Sequence, residues 1–140
     1  TGRHRENMMR GSCLCGAVAY EIDQPAEQIV HCHCRTCQKA QGAAFSSNAF
    51  IPHEHFRWIH GQELLSFYES SPGKSRYFCS VCGSHMVAMR EGQPNVIVRV
   101  ASLDEDPKPT SFAHIWTSHD LPWLSFGDDV PSFPEFPPAA

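Results

Sequence analysis

Arg76-Tyr77-Phe78-Cys79-Ser80-Val81-Cys82-Gly83-Ser84 reads as a short β-strand that runs into a metal knuckle. The step from Cys79 to Cys82 lets a tight turn aim two thiolates at one point. Gly83 tolerates the positive φ that such a turn needs just after its second ligand. A redox pair of the thioredoxin kind has the same spacing, but it opens a helix, and the residues after Gly83 read as another strand. A knuckle provides half of a tetrahedral site, so the other half must come from elsewhere in the chain.

The chain holds seven cysteines, and each falls in a cluster: Cys13 and Cys15; Cys32, Cys34 and Cys37; Cys79 and Cys82. A structural zinc is closed by four ligands, whereas a catalytic zinc keeps three protein ligands and one open position. Seven cysteines divide as four plus three. Cys13-Leu14-Cys15 puts two thiolates on one side of an extended segment, which makes it the natural partner of a knuckle lacking two ligands. Cys13, Cys15, Cys79 and Cys82 would then staple the start of the domain to its middle. Cys32-His33-Cys34-Arg35-Thr36-Cys37 supplies three thiolates by itself and leaves the fourth position for water, substrate or a histidine. His31 and His33 adjoin it, but on a strand they point away from the face shared by Cys32 and Cys34. Spacing alone also admits the other split, in which a cysteine from another cluster completes Cys32, Cys34 and Cys37.

The composition narrows the function classes. At 140 residues the chain is the size of one ordinary domain, large enough for a real core. Its 11 basic and 15 acidic side chains give a formal charge of −4, which is no footprint for DNA or RNA. No apolar run approaches a membrane span, and no charged-then-apolar leader is present. An odd number of cysteines in adjacent pairs is a poor disulfide framework. It reads instead as a metal binder of a reducing compartment, and the expected location is the cytoplasm.

Thr1 to Arg10 are polar and irregular and read as a disordered extension, so the expected domain is 11–133, followed by a Pro-rich tail, 134–140. Leu14–Ile22 and Ile29–Cys34 read as strands. Arg35–Gly42 reads as a knuckle followed by one helical turn, with Gly42 as its stop. Ala44–Phe50, Phe56–His60, Leu64–Ser70, Arg76–Cys79, His85–Met89 and Asn95–Ala101 are short and rich in branched or aromatic residues. Turn residues separate them, which predicts a mostly β, antiparallel domain. Asp104–Thr110 is a loop and Phe112–Trp116 a last strand. The alternating prolines and phenylalanines near the C-terminus cannot join a central strand.

Three runs carry a family resemblance: Gly11-Ser12-Cys13-Leu14-Cys15-Gly16-Ala17-Val18; Cys32-His33-Cys34, Cys37-Gln38-Lys39, Gly42-Ala43 and Phe45; and Arg76, Phe78-Cys79, Cys82-Gly83-Ser84. Together with Ser102-Leu103-Asp104, His114-Ile115-Trp116 and Pro122-Trp123 they resemble the glutathione-dependent formaldehyde-activating enzyme family, from Gly11 to about Phe133. The resemblance implies antiparallel sheets in the β-tent fold, a structural zinc on Cys13, Cys15, Cys79 and Cys82, and a second, activity-linked zinc on Cys32, Cys34 and Cys37. It also implies that glutathione and formaldehyde are joined to S-hydroxymethylglutathione, a carbon–sulfur lyase reaction when written in reverse. In many relatives a lysine or arginine lies shortly before the tryptophan matched by Trp123. Here that stretch is Ser118-His119-Asp120-Leu121-Pro122.

Such chemistry suits a three-thiolate centre with an exchangeable fourth position, whose occupancy is expected to vary because an open thiolate site loses metal or oxidises more easily than a closed one. A proton must reach the alkoxide made when a thiolate attacks an aldehyde. His31, His33, His85, His114 and His119 qualify by type, and His114 is favoured because it matches a family landmark. Lys39, just past the second cluster, is placed to meet a substrate carboxylate. The expected partners are a small thiol such as glutathione and a small aldehyde, with no nucleic acid and no membrane. The competing readings are a zinc-stabilised protein-binding module without turnover, and a related enzyme acting on another thiol or carbonyl compound. The Cys32, Cys34, Cys37 cluster separates enzyme from module, since a purely structural protein has little need of a three-ligand site.

Overall fold

The computed structural model describes residues 8–125 and 127–138. Ten strands, one short α-helix and several 3-10 turns make up these residues. The smaller sheet has the order β1 (Met9–Ser12), β2 (Ala19–Ile22), β5 (Phe56–His60). The larger has seven strands in the order β10 (Ser111–Ile115), β3 (Gln28–Cys32), β4 (Ser46–Pro52), β9 (Asn95–Arg99), β8 (His85–Arg90), β7 (Lys74–Cys79), β6 (Leu65–Ser71). The fold is mostly β, as the sequence predicts. Every pairing is antiparallel except that of β10 with β3, which is parallel, so the larger sheet is mixed.

The two sheets share one core. Tyr20 and Ile22 of β2 meet Ile51 of β4, Met86 and Val87 of β8, and Val96 and Val98 of β9, all almost fully buried. Phe56 stacks on Tyr20, with ring centroids 5.1 Å apart, and Trp58 meets Tyr20 edge-on. Because successive side chains of a strand point to opposite faces, the residues between these core positions face away from the smaller sheet. Asn48 and Phe50 alternate with Ala49 and Ile51 in β4, and Ile97 and Arg99 alternate with Val96 and Val98 in β9. This second face of the large sheet is where the site lies.

Most strand bounds shift by one or two residues from the sequence reading, and three differences are larger. Residues 14–18, read as the start of a strand, form the turn that carries the second cysteine, so β2 begins only at Ala19. Met9 and Arg10 belong to β1, paired with Ile22 and Glu21, so the described domain starts ahead of Gly11. Nothing in their local pattern marks a strand. Pairing with β2 makes them one, with a further bond from the Asp104 N–H to the Arg10 carbonyl (2.8 Å). The helix α1 (Arg35–Gln41) is longer than a single turn. Its N-cap is Cys34, whose Sγ accepts the Cys37 N–H at 3.3 Å, and Gly42 ends it with φ 61°. Seven residues are too few to be stable alone. The buried Gln38 side chain anchors α1 by donating to the carbonyls of His33 (2.7 Å) and His119 (3.0 Å). The expected disorder of residues 1–7 and the last two residues of the Pro-rich tail lie outside the described residues. The described part of the tail leaves Phe136 exposed.

Gly61 closes the turn after β5 at φ 78°, and a Cβ there would lie 2.0 Å from the Ala17 carbonyl oxygen. Backbone cannot yield as a side chain can. Gly61→Ala should therefore destabilise the fold by about 2–4 kcal/mol, from the left-handed conformation plus the clash. Chemical denaturation of the metal-loaded protein measures it, with an unchanged midpoint as the contrary result.

Candidate metal centres and their cleft

The two cysteine groupings assemble as the four-plus-three division requires. In the first, the Sγ atoms of Cys13, Cys15, Cys79 and Cys82 all lie within 4.8 Å of one another. Cys13 and Cys15 leave β1 through a turn, and Cys79 ends β7 at the knuckle. The knuckle closes with the Gly83 N–H on the Cys79 carbonyl (2.8 Å), at a glycine φ of 80°. Ser84 joins the halves: its Oγ accepts the Leu14 N–H at 2.9 Å and lies 3.2 Å from Cys82 Sγ.

The sulfur spacings test whether a metal fits. Cys13 and Cys15 are 3.6 Å apart, and Cys15 and Cys79 3.9 Å. A disulfide would need about 2.05 Å. Four sulfurs about 2.3 Å from a tetrahedral zinc stand about 3.8 Å from one another, so the donors fit that ion. The thiols are also unequal in acidity. Cys82 is lowered to about 5, chiefly by the hydroxyl of Ser84 and then by backbone N–H groups. At Cys15 the Ala17 N–H pulls downward, but desolvation and the neighbouring thiols outweigh it and push the group to about 11.

In the second grouping the Sγ atoms of Cys32, Cys34 and Cys37 also lie within 4.8 Å of one another. Cys32 ends β3, Cys34 caps α1 and Cys37 sits in its first turn, so the strand-to-helix corner gathers them. Cys32 and Cys37 are buried, and Cys34 is half-exposed. Arg76 of β7 points its Nη1 and Nη2 at Cys37 Sγ (3.9 and 3.7 Å). Burial pushes the Cys37 thiol up, yet Ser46, Cys34, Arg76 and Cys32 together bring it down to about 6. Cys32 goes the other way, to about 12, through burial first. The trio thus holds one ready thiolate beside a guanidinium.

These cysteines form one wall of a cleft of about 460 Å³. Its other walls come from the second face of the large sheet, α1 and the segment after β10. Five cations line it: Arg35, Lys74, Arg76, Arg90 and Arg99; no Asp or Glu does so among the described residues. Arg76 and Arg99 are buried, at 3% and 5% exposure. Arg76 Nε donates to Ser70 Oγ (2.9 Å) and Arg99 Nη1 to Asn48 Oδ1 (2.6 Å).

A family profile described as "Glutathione-dependent formaldehyde-activating enzyme" matches residues 8–119, which include all seven cysteines. The chain belongs to that family. A similar Halomonas elongata protein, named "Putative glutathione-dependent formaldehyde-activating enzyme", is 29% identical over 126 aligned positions, covering 84% of this chain and 80% of that one. The crystal structure of a Rhodobacter sphaeroides protein superposes with a TM-score of 0.59 at 25% identity, covering 74% of this chain and 99% of that one.

Other residues singled out in the sequence of this family member fall elsewhere. His114 does not line the cleft. It pairs in register with His31, as Ile115 pairs with Cys32, so the pleat turns it away from the cysteines. Its Nδ1 lies 2.8 Å from Nε2 of the buried His33, whose Nδ1 meets Asp120 at 2.5 Å. Lys39 is exposed in the last turn of α1 and is not among the cleft residues. The histidine that does line the cleft is His119, and the cations come from β7, β8 and β9, with Arg35 from the start of α1. A usable signal stood in the sequence: Arg99 closes the apolar run Val96-Ile97-Val98, and Lys74 and Arg76 share one strand face. His85 has a buried Nδ1 without a partner and faces a separate hollow with Tyr68 and Phe78.

The two groupings predict separable losses. Cys79→Ser should remove one metal ion per chain and unfold the domain, because the first site ties residues far apart in sequence. Cys34→Ala should also remove one ion but leave the fold and the first site in place. Metal analysis beside thermal unfolding of each variant checks this, and a folded Cys79→Ser protein with its remaining metal intact would contradict it.

Proposed function

We propose that this protein is a zinc-dependent enzyme that forms and cleaves a glutathione–aldehyde adduct, with S-hydroxymethylglutathione from glutathione and formaldehyde as the reaction. The observation that carries the reading is the three-cysteine cluster in the wall of a cation-lined cleft with no carboxylate among the described residues. Cys13, Cys15, Cys79 and Cys82 would hold a structural zinc, and Cys32, Cys34 and Cys37 a second one whose occupancy would vary, since three protein ligands leave one position open to exchange. That second zinc, when bound, would keep an incoming thiol in its thiolate form near neutral pH.

The chain's own groups account for the remaining needs. Arg76 balances the charge on Cys37 and fixes its position. The cleft brings thiol and aldehyde together, which removes much of the entropic barrier to a bimolecular step. As sulfur bonds to the carbonyl carbon, the C=O π pair moves onto oxygen, which must take a proton. His119, which lines the cleft, would give it. Its Nδ1 accepts the Arg35 N–H at 3.2 Å, so the proton of the neutral ring sits on Nε2. The thiol's own proton restores that ring, and the sum is thiol plus aldehyde giving hemithioacetal. Reversal of the same steps cleaves the carbon–sulfur bond.

A reducing, cytoplasmic setting belongs to the same proposal, because seven free cysteines need one. Among the described residues no helix is long and apolar enough to cross a membrane.

Magnetisation-exchange NMR can follow glutathione and formaldehyde against the uncatalysed background. Two-zinc protein should exceed that background, and Cys34→Ala should return it to baseline while still folded. His119→Gln should lower the catalysed rate by on the order of 100-fold, and His114→Gln, on the opposite sheet face, far less. Wild-type protein with two zinc ions and no rate above background would defeat the formaldehyde assignment and leave the binding-module or other-substrate reading.

A further inference from the structure

The guanidinium of Arg99 has an unmatched edge. Nη1 is used by Asn48, but Nε and Nη2 are buried and have no hydrogen-bond partner. Burial, and then the neighbouring charge of Arg76, lower this group to about 10, so it still carries its charge at neutral pH. A buried charge with two unpaired donors is expensive to keep. The cysteine cluster offsets part of that charge, but among the described residues no ion pair reaches Arg99: the pairs present join His33 to Asp120, His55 to Asp23 and Arg57 to Glu21. The half-buried Lys74 and the buried Arg76 line the same cleft and add positive charge. The Sγ of Cys37 is already met by Arg76, at 3.9 and 3.7 Å from its Nη1 and Nη2.

Arg99 is anchored at its backbone and at Nη1. Ser102 donates to the Arg99 carbonyl at 2.7 Å, and Ser102 Oγ lies 2.6 Å from the hydroxyl of the buried Tyr20. In register, Arg99 stands opposite Asn48, whose amide in turn donates to Ser46 Oγ at 3.1 Å. The Nε–Nη2 edge offers two parallel donors, the geometry that a planar carboxylate accepts in bidentate fashion, and because both atoms are covered a neighbouring cleft side chain must shift to admit it.

We propose that Arg99 is the specificity-determining residue of the cleft, receiving a substrate carboxylate on its Nε–Nη2 edge with Lys74 and Arg76 completing the field. This rests on the reading of the cleft as the site of thiol–aldehyde addition, and it names the chemical class taken there: a carboxylate-bearing substrate. The carboxylate can belong to the thiol or to the carbonyl compound.

The closing experiment separates these sources, and it separates this inference from the reaction itself. With zinc-loaded wild-type protein, the Nε–H resonance of Arg99 is followed by NMR during titration with sodium acetate, against sodium chloride at equal ionic strength. A saturable shift with acetate alone is expected, and it needs neither turnover nor a variant. In the thiol arm, esterifying both carboxylates of glutathione should raise KM roughly 10- to 100-fold for wild type, the loss of one bidentate charge-assisted contact. The same esterification should change KM little in Arg99→Lys or Arg99→Met. In the carbonyl arm, a preference for glyoxylate over formaldehyde that vanishes in the same variants assigns the carboxylate to the carbonyl compound. Absence of the acetate shift overturns the inference even if glutathione turns over. An acetate shift with neither arm depending on Arg99 means an adventitious ion only, and overturns it as well. If no reaction is found yet acetate binds at Arg99 and esterified glutathione binds more weakly than glutathione in calorimetry, the carboxylate site stands and the reaction assignment falls.

Discussion

The pleat of the seven-stranded sheet is the constraint on which this molecule depends. Alternation in β4 and β9 sends Ala49, Ile51, Val96 and Val98 into the core and Asn48, Phe50, Ile97 and Arg99 to the other face. A one-residue slip of β9 would turn Arg99 into the core and the valines to the cleft, and a slip of β4 would do the same to Asn48 and to Ala49 and Ile51. Register and chemistry are therefore specified together. The same alternation in β3 and β10 puts Cys32 and Ile115 on the cleft side and His31 and His114 on the other. The parallel pairing of β10 with β3 then carries the chain past the strand-to-helix corner. There His119 meets the Arg35 N–H, and its carbonyl accepts from Gln38.

Charge explains why the cleft looks as it does. Acidic side chains outnumber basic ones in the chain, yet the cleft collects five cations and no carboxylate among the described residues. Such a gathering costs stability unless negative charge arrives. Part of that charge is internal: the cysteine cluster, with Cys37 held low in pKa beside Arg76. The remainder is left to whatever binds. A site built this way favours an anion over a neutral competitor before any contact with the reacting atoms, and it weakens as salt screens it, least where the cations are buried. The missing cation ahead of Trp123 is thus no gap in the design. The positive field comes from strands distant in sequence from that tryptophan.

Much of this was legible in the sequence because its signals are local. A cysteine pair spaced for a knuckle, a glycine after it and turn residues between short branched runs each act within a few positions. Phe56–His60 has the bounds expected of it as a strand, and Gly42 ends the helix as expected. The grouping of the seven cysteines followed from counting ligands. What stayed hidden depends on pairing partners. Met9 and Arg10 become strand only through β2. Family pattern favoured His114, but the register with His31 turns it away, and the histidine that lines the cleft is His119, whose ring accepts a backbone N–H. Lys39 adjoins the cluster in sequence and faces solvent in space, whereas Lys74 and Arg76 are distant in sequence and line the cleft.

The two cysteine groupings differ in what surrounds them, and this difference sorts their roles. The first joins residues 13–15 to residues 79–82 with no basic side chain among its recorded hydrogen-bond partners. Serine and backbone donors satisfy its sulfurs, as in the Val18 N–H to Cys13 contact at 3.3 Å and the Ser84 to Cys82 contact at 3.2 Å. Four thiolates would fill the coordination sphere of a divalent ion, and the gain would appear as stability because the unfolded chain cannot present those ligands together. The second draws its sulfurs from six consecutive residues, so bringing them together orders little chain and adds little to the fold. Its neighbours are instead an arginine, a cleft and a histidine. A site that contributes little to folding can tolerate an open position and an exchanging ligand, which is the condition for chemistry there rather than at the staple.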